Sequence, residues 1–237
     1  MRSLYAEPEQ ETRQVVWPAL ECHDVFKIYR SGPVETVALR GLDLRVERGE
    51  LVAVLGPSGS GKSTLMSLAA GLDEPSAGEV RVFGNSLGRL AEDELAEYRA
   101  RDLAIVFQSE NLWPTLSAQE NVAAALRLAG VEDPEFRARE ALAHFGLGAR
   151  GGELAVRLSG GEQQRVAIAG AAARRAGLVL ADEPTGELDR DNERRVMESL
   201  AELRARYGST VVIVTHSDHV AGSADRVIEM RDGRAVS

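Results

Sequence analysis

The chain has 237 residues, of which 44% are hydrophobic and 27% charged, and its formal net charge is −9. This acidic balance argues against nucleic acid as a partner and against attachment to anionic lipid by charge. The single cysteine, Cys22, allows no internal disulfide and favours a reducing cytoplasm. Since no apolar run is long enough to cross a bilayer, we expect a soluble cytoplasmic protein without a direct lipid anchor, linked to a membrane only through a partner.

The first part of the chain is predicted to be a mobile extension followed by strands. Residues 1–18 are polar and show little periodicity. Two runs of β-like composition follow, Leu20–Tyr29 and Val34–Val46, with a turn at 31–33 between them. Tyr29 ends the first run, where its ring could face a flat ligand, although packing against a sheet is the commoner role of such a residue.

A glycine-rich segment, Gly56-Pro57-Ser58-Gly59-Ser60-Gly61-Lys62-Ser63-Thr64, fits the pattern G-x-x-x-x-G-K-[ST] at every specified position. It lies between a buried-strand run at 51–55 and a helix start at Ser63–Ala70. Its glycines let successive backbone N–H groups approach a phosphate in one concavity. Lys62 would add a positive charge at the β- and γ-phosphates, and the Ser63 hydroxyl would ligate Mg²⁺. The segment therefore predicts a nucleoside triphosphate site.

Lysine is rare in this chain. Only Lys27 and Lys62 are lysines, and every other basic residue except histidine is arginine. A lysine in the phosphate loop of such a chain indicates a need for the compact ammonium rather than the planar guanidinium.

Between the phosphate loop and residue 160 the pattern changes to helices. A strand, Leu103–Phe107, ends at Gln108. Two helices are predicted after it, Ser117–Leu128, which opens on a capping box, and Asp133–Phe145. Because these helices interrupt the succession of strands, the sequence predicts an inserted helical subdomain at about 109–160.

A second glycine-containing helix start follows at Ser159-Gly160-Gly161. Its N–H groups and hydroxyl could bind an anion, but most such ends are simple helix caps. These residues by themselves favour neither interpretation.

Acidic side chains come directly after the buried strand Leu178–Ala181. Asp182 and Glu183 leave that strand at its carboxyl end, the edge at which open α/β sheets hold their ligands. Beside a phosphate loop, Asp182 is placed to be an Mg²⁺ partner and Glu183 to orient and deprotonate a water molecule. His216 follows the next buried strand, Thr210–Val214, and leaves the sheet at the same edge.

Taken together and in order, these motifs resemble those of the nucleotide-binding subunits of ATP-binding cassette (ABC) proteins. The resemblance covers about 19–236. It implies an α/β fold, a P-loop NTPase core of the RecA-like type with an antiparallel β subdomain and an inserted α-helical subdomain, in a single domain at 19–237. It also implies ATPase activity, with ATP and Mg²⁺ as cofactors.

The resemblance assigns roles around one ATP. Tyr29 would stack on adenine, which reverses the interpretation from composition. Asp182 would be the Mg²⁺ partner and Glu183 the general base. His216 would sense the γ-phosphate, and Gln108 would join Mg²⁺ and the attacking water to the helical subdomain.

The resemblance also implies a second copy of the chain, paired head to tail. Ser159, Gly160 and Gly161 resemble the signature that binds the γ-phosphate of ATP held by the opposite subunit. Asp189 resembles the residue that communicates across the dimer. Hydrolysis would reopen the pair and turn a chemical step into a rigid-body motion.

The segment from Val106 to Val122 is similar to the branch of lipoprotein release and macrolide export. This implies an integral membrane permease as partner, export or extraction from the membrane as the process, and a peripheral position on the inner face of the cell membrane. Glu110 and Trp113 depart from the apolar residues usual in that branch. An exposed aromatic residue such as Trp113 is commonly incidental or packs against its own domain. The functional alternative is that Trp113, with Glu110 and Leu116, lines a groove for a short cytoplasmic helix of the permease.

The alternative is a soluble ABC ATPase that acts on nucleic acid or ribosomes. Chromosome-type members need a long coiled coil between Lys62 and Ser159, and that interval has no heptad run. Ribosome-acting members resemble two cassettes in one chain, and repair members carry zinc-binding cysteines. A single cassette with one cysteine therefore favours the transporter subunit, and the intact Lys62, Glu183 and His216 oppose a binding module without turnover.

Overall fold

The computed structural model describes residues 16–32 and 34–236. Its strands and helices, in chain order, are β1 Leu20–Ser31, β2 Val34–Val46, β3 Leu51–Leu55, α1 Lys62–Ala69, β4 Ala77–Val82, β5 Asn85–Ser86, α2 Glu92–Arg101, β6 Leu103–Val106, α3 Ala118–Leu128, α4 Pro134–His144, α5 Gly160–Arg174, β7 Leu178–Asp182, α6 Arg190–Tyr207, β8 Thr210–Thr215, α7 Asp218–Ala221, β9 Arg226–Arg231 and β10 Arg234–Val236. The predicted elements agree with these bounds to within a residue or two. In the part of the chain described, no helix is both long and apolar enough to span a bilayer.

The main sheet has the strand order β10-β9-β3-β8-β7-β6. Its strands are parallel except β10, which runs antiparallel to β9. Strands β3, β7 and β8 are almost entirely apolar and buried, as parallel strands are when helices or a second sheet cover both faces. This sheet is the predicted α/β core.

A second, antiparallel sheet has the order β2-β1-β4-β5. It covers one face of the main sheet together with α1, and the two share a core that includes Leu20, Leu42, Leu65, Leu68 and Val214. Burial along β2 alternates between exposed and buried positions over its second half, the pattern of a strand with one face in the core.

Helices α3 and α4 pack on α5 and form the predicted inserted subdomain, whose limits at about 109–160 stay a prediction. Their buried residues, among them Leu126 and Leu142, join one core with the other face of the main sheet. The predicted capping box opens α3, since Ser117 Oγ accepts the Glu120 N–H at 3.2 Å and Glu120 accepts the Ser117 N–H at 2.8 Å. The fold class expected from the sequence is present in full.

Residues 1–15 of the predicted extension lie outside the described part, and its boundary after residue 18 stays a prediction. At the end of that segment, the Trp17 ring lies 5.4 Å from the Arg81 guanidinium. A Cβ atom on Gly84 would lie 2.5 Å from the same ring, so a glycine is needed where Trp17 packs on the hairpin of β4 and β5.

Candidate active site at the carboxyl edge of the main sheet

The register of the main sheet places the predicted site residues in adjacent positions. Val54 of β3 is opposite Val214 of β8, and Val214 is opposite Asp182 of β7. Glu183 follows at once, and its N–H donates to the Val214 carbonyl at 2.9 Å. Because neighbouring strands lie about 4.8 Å apart, Asp182 stands roughly 10 Å from the end of β3, where the phosphate loop begins.

The phosphate loop is held in a conformation that requires glycine. Gly59 and Gly61 have φ angles of 79° and 100°, in the left-handed region that other residues rarely adopt. A Cβ atom on Gly61 would lie 2.7 Å from the Ala38 carbonyl oxygen, and one on Gly56 would lie 2.3 Å from that of Met230. Gly61 is the N-cap of α1, so the first N–H groups of the helix belong to the loop.

Lys62 is 8% exposed and its ammonium is fixed against the loop backbone. Its Nζ donates to the carbonyls of Gly56 at 2.7 Å and Pro57 at 2.9 Å, which uses two of its three donors. The following residue, Ser63, is exposed in the first turn of α1, and Ser58 is exposed in the loop. A positive charge and hydroxyl groups therefore meet at this helix start.

The loop residues Ser60 and Thr64 differ from their neighbours in exposure. Ser60 is 3% exposed, and its N–H donates to the Pro57 carbonyl at 3.2 Å. Its own carbonyl accepts the Gly233 N–H at 3.1 Å, which ties the loop to the turn before β10. Thr64 is half-buried. The backbone of Ser60 thus stabilises the loop through its hydrogen bonds to Pro57 and Gly233. The predicted contact of Ser60 and Thr64 with a nucleotide stays a prediction.

Two side chains, those of Thr215 and His216, contact the Glu183 carboxylate, and Asp182 precedes it in the chain. Glu183 Oε1 lies 2.7 Å from His216 Nδ1, and Thr215 Oγ1 donates to Glu183 Oε2 at 3.2 Å. The Glu183 backbone has a φ of 45°, a left-handed conformation that is strained for a non-glycine residue and is commonest at functional sites. Burial, together with the charge of Glu183, raises the pKa of Asp182, while Lys62 acts in the opposite direction.

Gln108 follows β6, the strand next to β7, and is joined to two other parts of the chain. Its Nε2 donates to Glu187 Oε1 at 3.3 Å, in the segment after Glu183. Its carbonyl and that of Phe107 accept Nε2 of Gln164 at 2.6 and 2.8 Å. Gln164 is buried in α5, so the site edge is fixed to the helix that begins at Ser159. Gln164 follows the predicted signature directly, but no role was predicted for it from the sequence.

The second glycine-containing helix start is built as a cap. Ser159 Oγ accepts the Glu162 N–H at 3.3 Å, and Glu162 accepts the Ser159 N–H at 2.8 Å. Gly160 is exposed, whereas a Cβ atom on Gly161 would lie 2.7 Å from Asn192 Oδ1.

Asn192 connects this helix start to Asp189. The Asn192 N–H and Nδ2 each donate to the Asp189 carboxylate at 2.8 Å. Among the residues described, Ser159–Gly161 therefore contact the start of α6, and the structure does not join them to the phosphate loop of the same chain.

Tyr29 lies on the antiparallel sheet within a nucleotide's length of the phosphate loop. It pairs with Thr36 of β2, two residues before Ala38, whose carbonyl contacts Gly61. From strand dimensions, Tyr29 is about 8 Å from Ala38. Its side chain is 41% exposed, and its hydroxyl donates to Asp73 Oδ2 at 2.9 Å. Tyr29 is thus partly exposed on the sheet, with its hydroxyl already bonded to Asp73.

Comparison with known proteins decides the family. The family model described as "ABC transporter" matches residues 39–186, more than half of the chain. The chain belongs to the ABC transporter family. The predicted resemblance to ABC proteins and the expectation of an ATP-hydrolysing cassette are therefore confirmed, and the soluble alternative is not favoured.

Individual ABC relatives agree with this assignment. The lipoprotein-releasing system ATP-binding protein LolD of Chromohalobacter salexigens is 45% identical over 217 residues, 91% of this chain and 92% of that protein. The macrolide export ATP-binding/permease protein MacB of Wolinella succinogenes is 44% identical over 219 residues, but the chain spans only 34% of its length. The ATP-binding cassette MJ0796, in a dimeric post-hydrolysis state bound to ADP and Pi, has a TM-score of 0.83 at 38% identity, covering 92% of this chain and 97% of that one.

Proposed function

We propose that this ABC cassette binds ATP and Mg²⁺ at the carboxyl edge of its main sheet and hydrolyses the ATP as one half of a pair of identical chains, to drive an integral membrane permease. The observation that carries the proposal is the alignment along one edge of Lys62, Asp182, Glu183 and His216. These residues supply a cation for the phosphates, a carboxylate for a metal, and a second carboxylate oriented by an imidazole.

The donor set fits Mg²⁺. Ser63 and Asp182 offer a hydroxyl and a carboxylate, the hard oxygen ligands that this ion takes together with phosphate oxygens and water. Gln108 would supply a third oxygen from its amide. The raised pKa of Asp182 comes from burial and a neighbouring carboxylate, which a bound cation would offset. When bound, the ion neutralises charge that develops on the phosphates.

Around the nucleotide, each side chain has a role that its contacts support. The loop N–H groups and Lys62 hold the phosphates, and Tyr29 stacks on adenine. Glu183 accepts a proton from the attacking water, and His216, whose side chain is 70% exposed, contacts the γ-phosphate through Nε2. Thr215 and His216 fix both carboxylate oxygens of Glu183, so that the base does not rotate freely.

In the proposed pair each chain completes the ATP site of the other, since among the described residues Ser159, Gly160 and Gly161 make no contact with the phosphate loop of their own chain. They would instead bind the γ-phosphate held by the partner, with Asp189 and Asn192 setting their position from behind. The dimeric state of the MJ0796 relative supports this arrangement.

The pairing is tested with Glu183→Gln, which keeps the size of the side chain and removes its basicity. We expect this variant to bind ATP without turnover and to double its mass in light scattering when ATP is added. Adding Ser159→Arg to Glu183→Gln should restore the monomer without loss of ATP binding. Glu198→Gln, on the exposed side of α6, is the matched control and should behave as wild type. A Glu183→Gln chain that binds ATP and stays monomeric at all concentrations contradicts the pairing.

The permease is proposed to dock in a groove beside the site. This groove encloses about 350 Å³ and is lined by residues that include Ile105, Glu110, Trp113, Ala125, Gly170 and Arg174. Trp113 is 52% exposed, and its backbone is held by Asn121, which accepts the Trp113 N–H at 2.8 Å and donates to its carbonyl at 3.1 Å. Leu116, predicted as a third lining residue, is not among the residues that line this groove, whereas Leu112 is, and the predicted contact of Leu116 with a permease stays a prediction.

The direction of transport is proposed from the relatives. LolD is named for lipoprotein release and MacB for macrolide export, so we favour export or extraction from the membrane over import. The chain would then work at the cytoplasmic face of the cell membrane, held there by its permease.

A further inference from the structure

The hydroxyl of Tyr29 is the end of a short polar chain. It donates to Asp73 Oδ2 at 2.9 Å, and Asp73 Oδ1 accepts Lys27 Nζ at 2.5 Å. Lys27 Nζ also donates to the Glu74 carbonyl at 2.7 Å. The side chain of Lys27 is 12% exposed and that of Asp73 is 29% exposed, so this is a partly buried pair rather than a surface one.

Lys27 also contacts the tyrosine ring. Its Nζ lies 5.0 Å from the centroid of Tyr29, within the range of a cation–π interaction. The side chains of residues 27 and 29 lie on the same side of β1, since both reach Asp73. The ring is therefore held at its hydroxyl by Asp73 and over one face by Lys27.

The choice of lysine at position 27 supports a specific role. Lys27 and Lys62 are the only lysines among 28 lysine and arginine residues. At position 27, one compact ammonium reaches a carboxylate, a carbonyl and an aromatic ring at once, whereas a guanidinium is larger and planar.

Asp73 ties this group to the phosphate-binding helix. It lies just after α1, the helix that begins at the phosphate loop. The Glu74 N–H donates to Asp73 Oδ1 at 2.8 Å, which fixes the carboxylate on the turn that follows α1. Hydrogen bonds from Lys27, Glu74 and Tyr29 lower the pKa of Asp73 against the opposing effect of its burial, so it is ionised near neutral pH.

We propose that Asp73 and Lys27 are positioning residues that hold the Tyr29 ring as a preformed platform for the adenine base. This proposal rests on the proposed function, in which Tyr29 stacks on adenine. An aromatic ring that is half exposed on a strand would otherwise lose rotamer freedom when a base stacks on it, which weakens binding. With its hydroxyl and one side already fixed, the ring is ordered before the nucleotide arrives.

The experiment compares ligands with and without a base. ATP affinity is measured by fluorescence titration, and inorganic tripolyphosphate, which has the phosphates alone, is measured by competition against a fluorescent nucleotide. The variants are Tyr29→Phe, Asp73→Asn, the double variant, and Tyr29→Ala. Tyr207→Phe, a half-buried tyrosine on α6, is the matched control for removal of a hydroxyl.

We expect Tyr29→Phe and Asp73→Asn each to weaken ATP binding by about three- to tenfold, the effect of one hydrogen bond, with tripolyphosphate binding unchanged. The double variant should lose less affinity than the product of the two single losses, because both changes weaken the hydrogen bond between Tyr29 and Asp73. Tyr29→Ala should lose roughly tenfold or more, the contribution of one stacked base.

Three outcomes overturn the proposal, and they are distinguishable. If Tyr29→Ala binds ATP as wild type does, adenine stacks elsewhere, and that part of the proposed function fails as well. If Tyr29→Ala weakens binding while Tyr29→Phe and Asp73→Asn do not, the platform stands but is not positioned by Asp73. If ATP and tripolyphosphate weaken together, the polar chain supports the phosphate loop and not the base.

Discussion

His216 Nδ1 lies 2.7 Å from Glu183 Oε1, and this contact joins the ends of two neighbouring strands, β7 and β8. When Glu183 is ionised it can only accept, so the bond requires the proton on Nδ1. Nε2 of the imidazole then faces away from the carboxylate. In the proposed mechanism, Glu183 is the base, and Nε2 on the other side of the His216 ring is the polar atom that contacts the γ-phosphate.

Thr215 holds the other oxygen of that carboxylate, and its loss should affect turnover rather than binding. Its hydroxyl donates to Glu183 Oε2 at 3.2 Å and accepts the Ser217 N–H at 3.0 Å. We expect Thr215→Val to lower kcat by about three- to tenfold with little change in KM for ATP, because one hydrogen bond that orients the base is lost.

Thr210→Val is the matched control on the same strand. Thr210 is also buried, and its Oγ1 accepts the Gly49 N–H at 2.9 Å at the opposite end of β8. Both variants should lose stability, but only Thr215→Val should lose kcat. Equal kcat values in the two variants would show that Thr215 does not orient the base.

Lys62 is the second test of the site. Its ammonium donates to two loop carbonyls at 2.7 and 2.9 Å, so its position depends on a compact head group. We expect Lys62→Ala to abolish ATP binding or to leave hydrolysis near background. Lys62→Arg keeps the charge but should recover little activity, since the guanidinium does not fit the same contacts. Isothermal titration and a phosphate-release assay measure both, and unchanged affinity and turnover in Lys62→Ala contradict the assignment.

The motifs and most elements could be predicted from the sequence because their signals are local. The phosphate loop, the capping box at Ser117, and the apolar runs of β3, β7 and β8 each lie within a few consecutive residues. Helix α7 was missed because four residues do not show a helical period. The two-residue strand β5 was missed for the same reason.

The supporting residues of the site could not be predicted because their contacts are distant in sequence. Asp73 bonds to Tyr29 across 44 positions, and Gln164 bonds to Gln108 across 56. Neither residue was singled out from the sequence, and only the packing of the two sheets and α5 brings the partners together. The left-handed φ of 45° at Glu183 could not be predicted from the sequence either, since glutamate has no preference for that region.

Cys22 should be protected from alkylation in the folded chain. It is 2% exposed, and burial, with smaller effects from the charges of Asp43 and Glu21, raises the pKa of its thiol to about 12. The reactive thiolate is therefore about one part in ten thousand at pH 8.

We expect no modification of Cys22 by iodoacetamide at pH 8 within hours, and rapid modification in urea, both followed by intact mass.

The raised pKa of the Cys22 thiol also means that the stability of the folded chain falls as pH rises from 9.0, the ordinary pKa of the thiol, toward about 12, because the unfolded thiol loses its proton first. Rapid alkylation without denaturant would contradict the buried position.

Two glycines of α5 should respond in opposite ways to alanine. A Cβ atom on Gly170 would have Val122 Cγ2 as its nearest neighbour, at 3.9 Å, an ordinary contact. We expect Gly170→Ala to stabilise the chain by about 0.5–1 kcal/mol, since glycine is unfavourable in a helix interior. Gly161→Ala would place its Cβ 2.9 Å from Asn192 Cβ, so it should lower Tm and disturb the bonds of Asn192 to Asp189. Calorimetry that gave both variants the same sign of change would contradict the packing of α5.

The docking groove is tested with two exposed aromatic residues of the helical subdomain. Trp113 is 52% exposed in the groove, and Phe136 is 50% exposed on α4 outside it. If Trp113 anchors a permease helix, Trp113→Ala should cost about 2 kcal/mol or more of binding, close to a thirtyfold loss, whereas Phe136→Ala should cost nothing. The measurement is the amount of integral membrane protein that co-purifies with tagged chain from detergent-solubilised membranes, together with the ATPase rate of the isolated chain.

That ATPase rate should be the same in wild type, Trp113→Ala and Phe136→Ala, because neither side chain belongs to the proposed ATP site. Glu110 lines the same groove and would select a basic residue on the partner helix, so Glu110→Arg should reduce co-purification more strongly than Trp113→Ala. The backbone of Glu110 has a φ of 61°. Since Glu110 carries a left-handed backbone, Glu110→Asn, which tolerates that region, separates loss of charge from backbone strain. If Trp113→Ala and Glu110→Arg both retain the same membrane protein, the docking surface lies elsewhere on the cassette. If Phe136→Ala loses that protein to the same extent, the variants disturb the whole subdomain and not the groove.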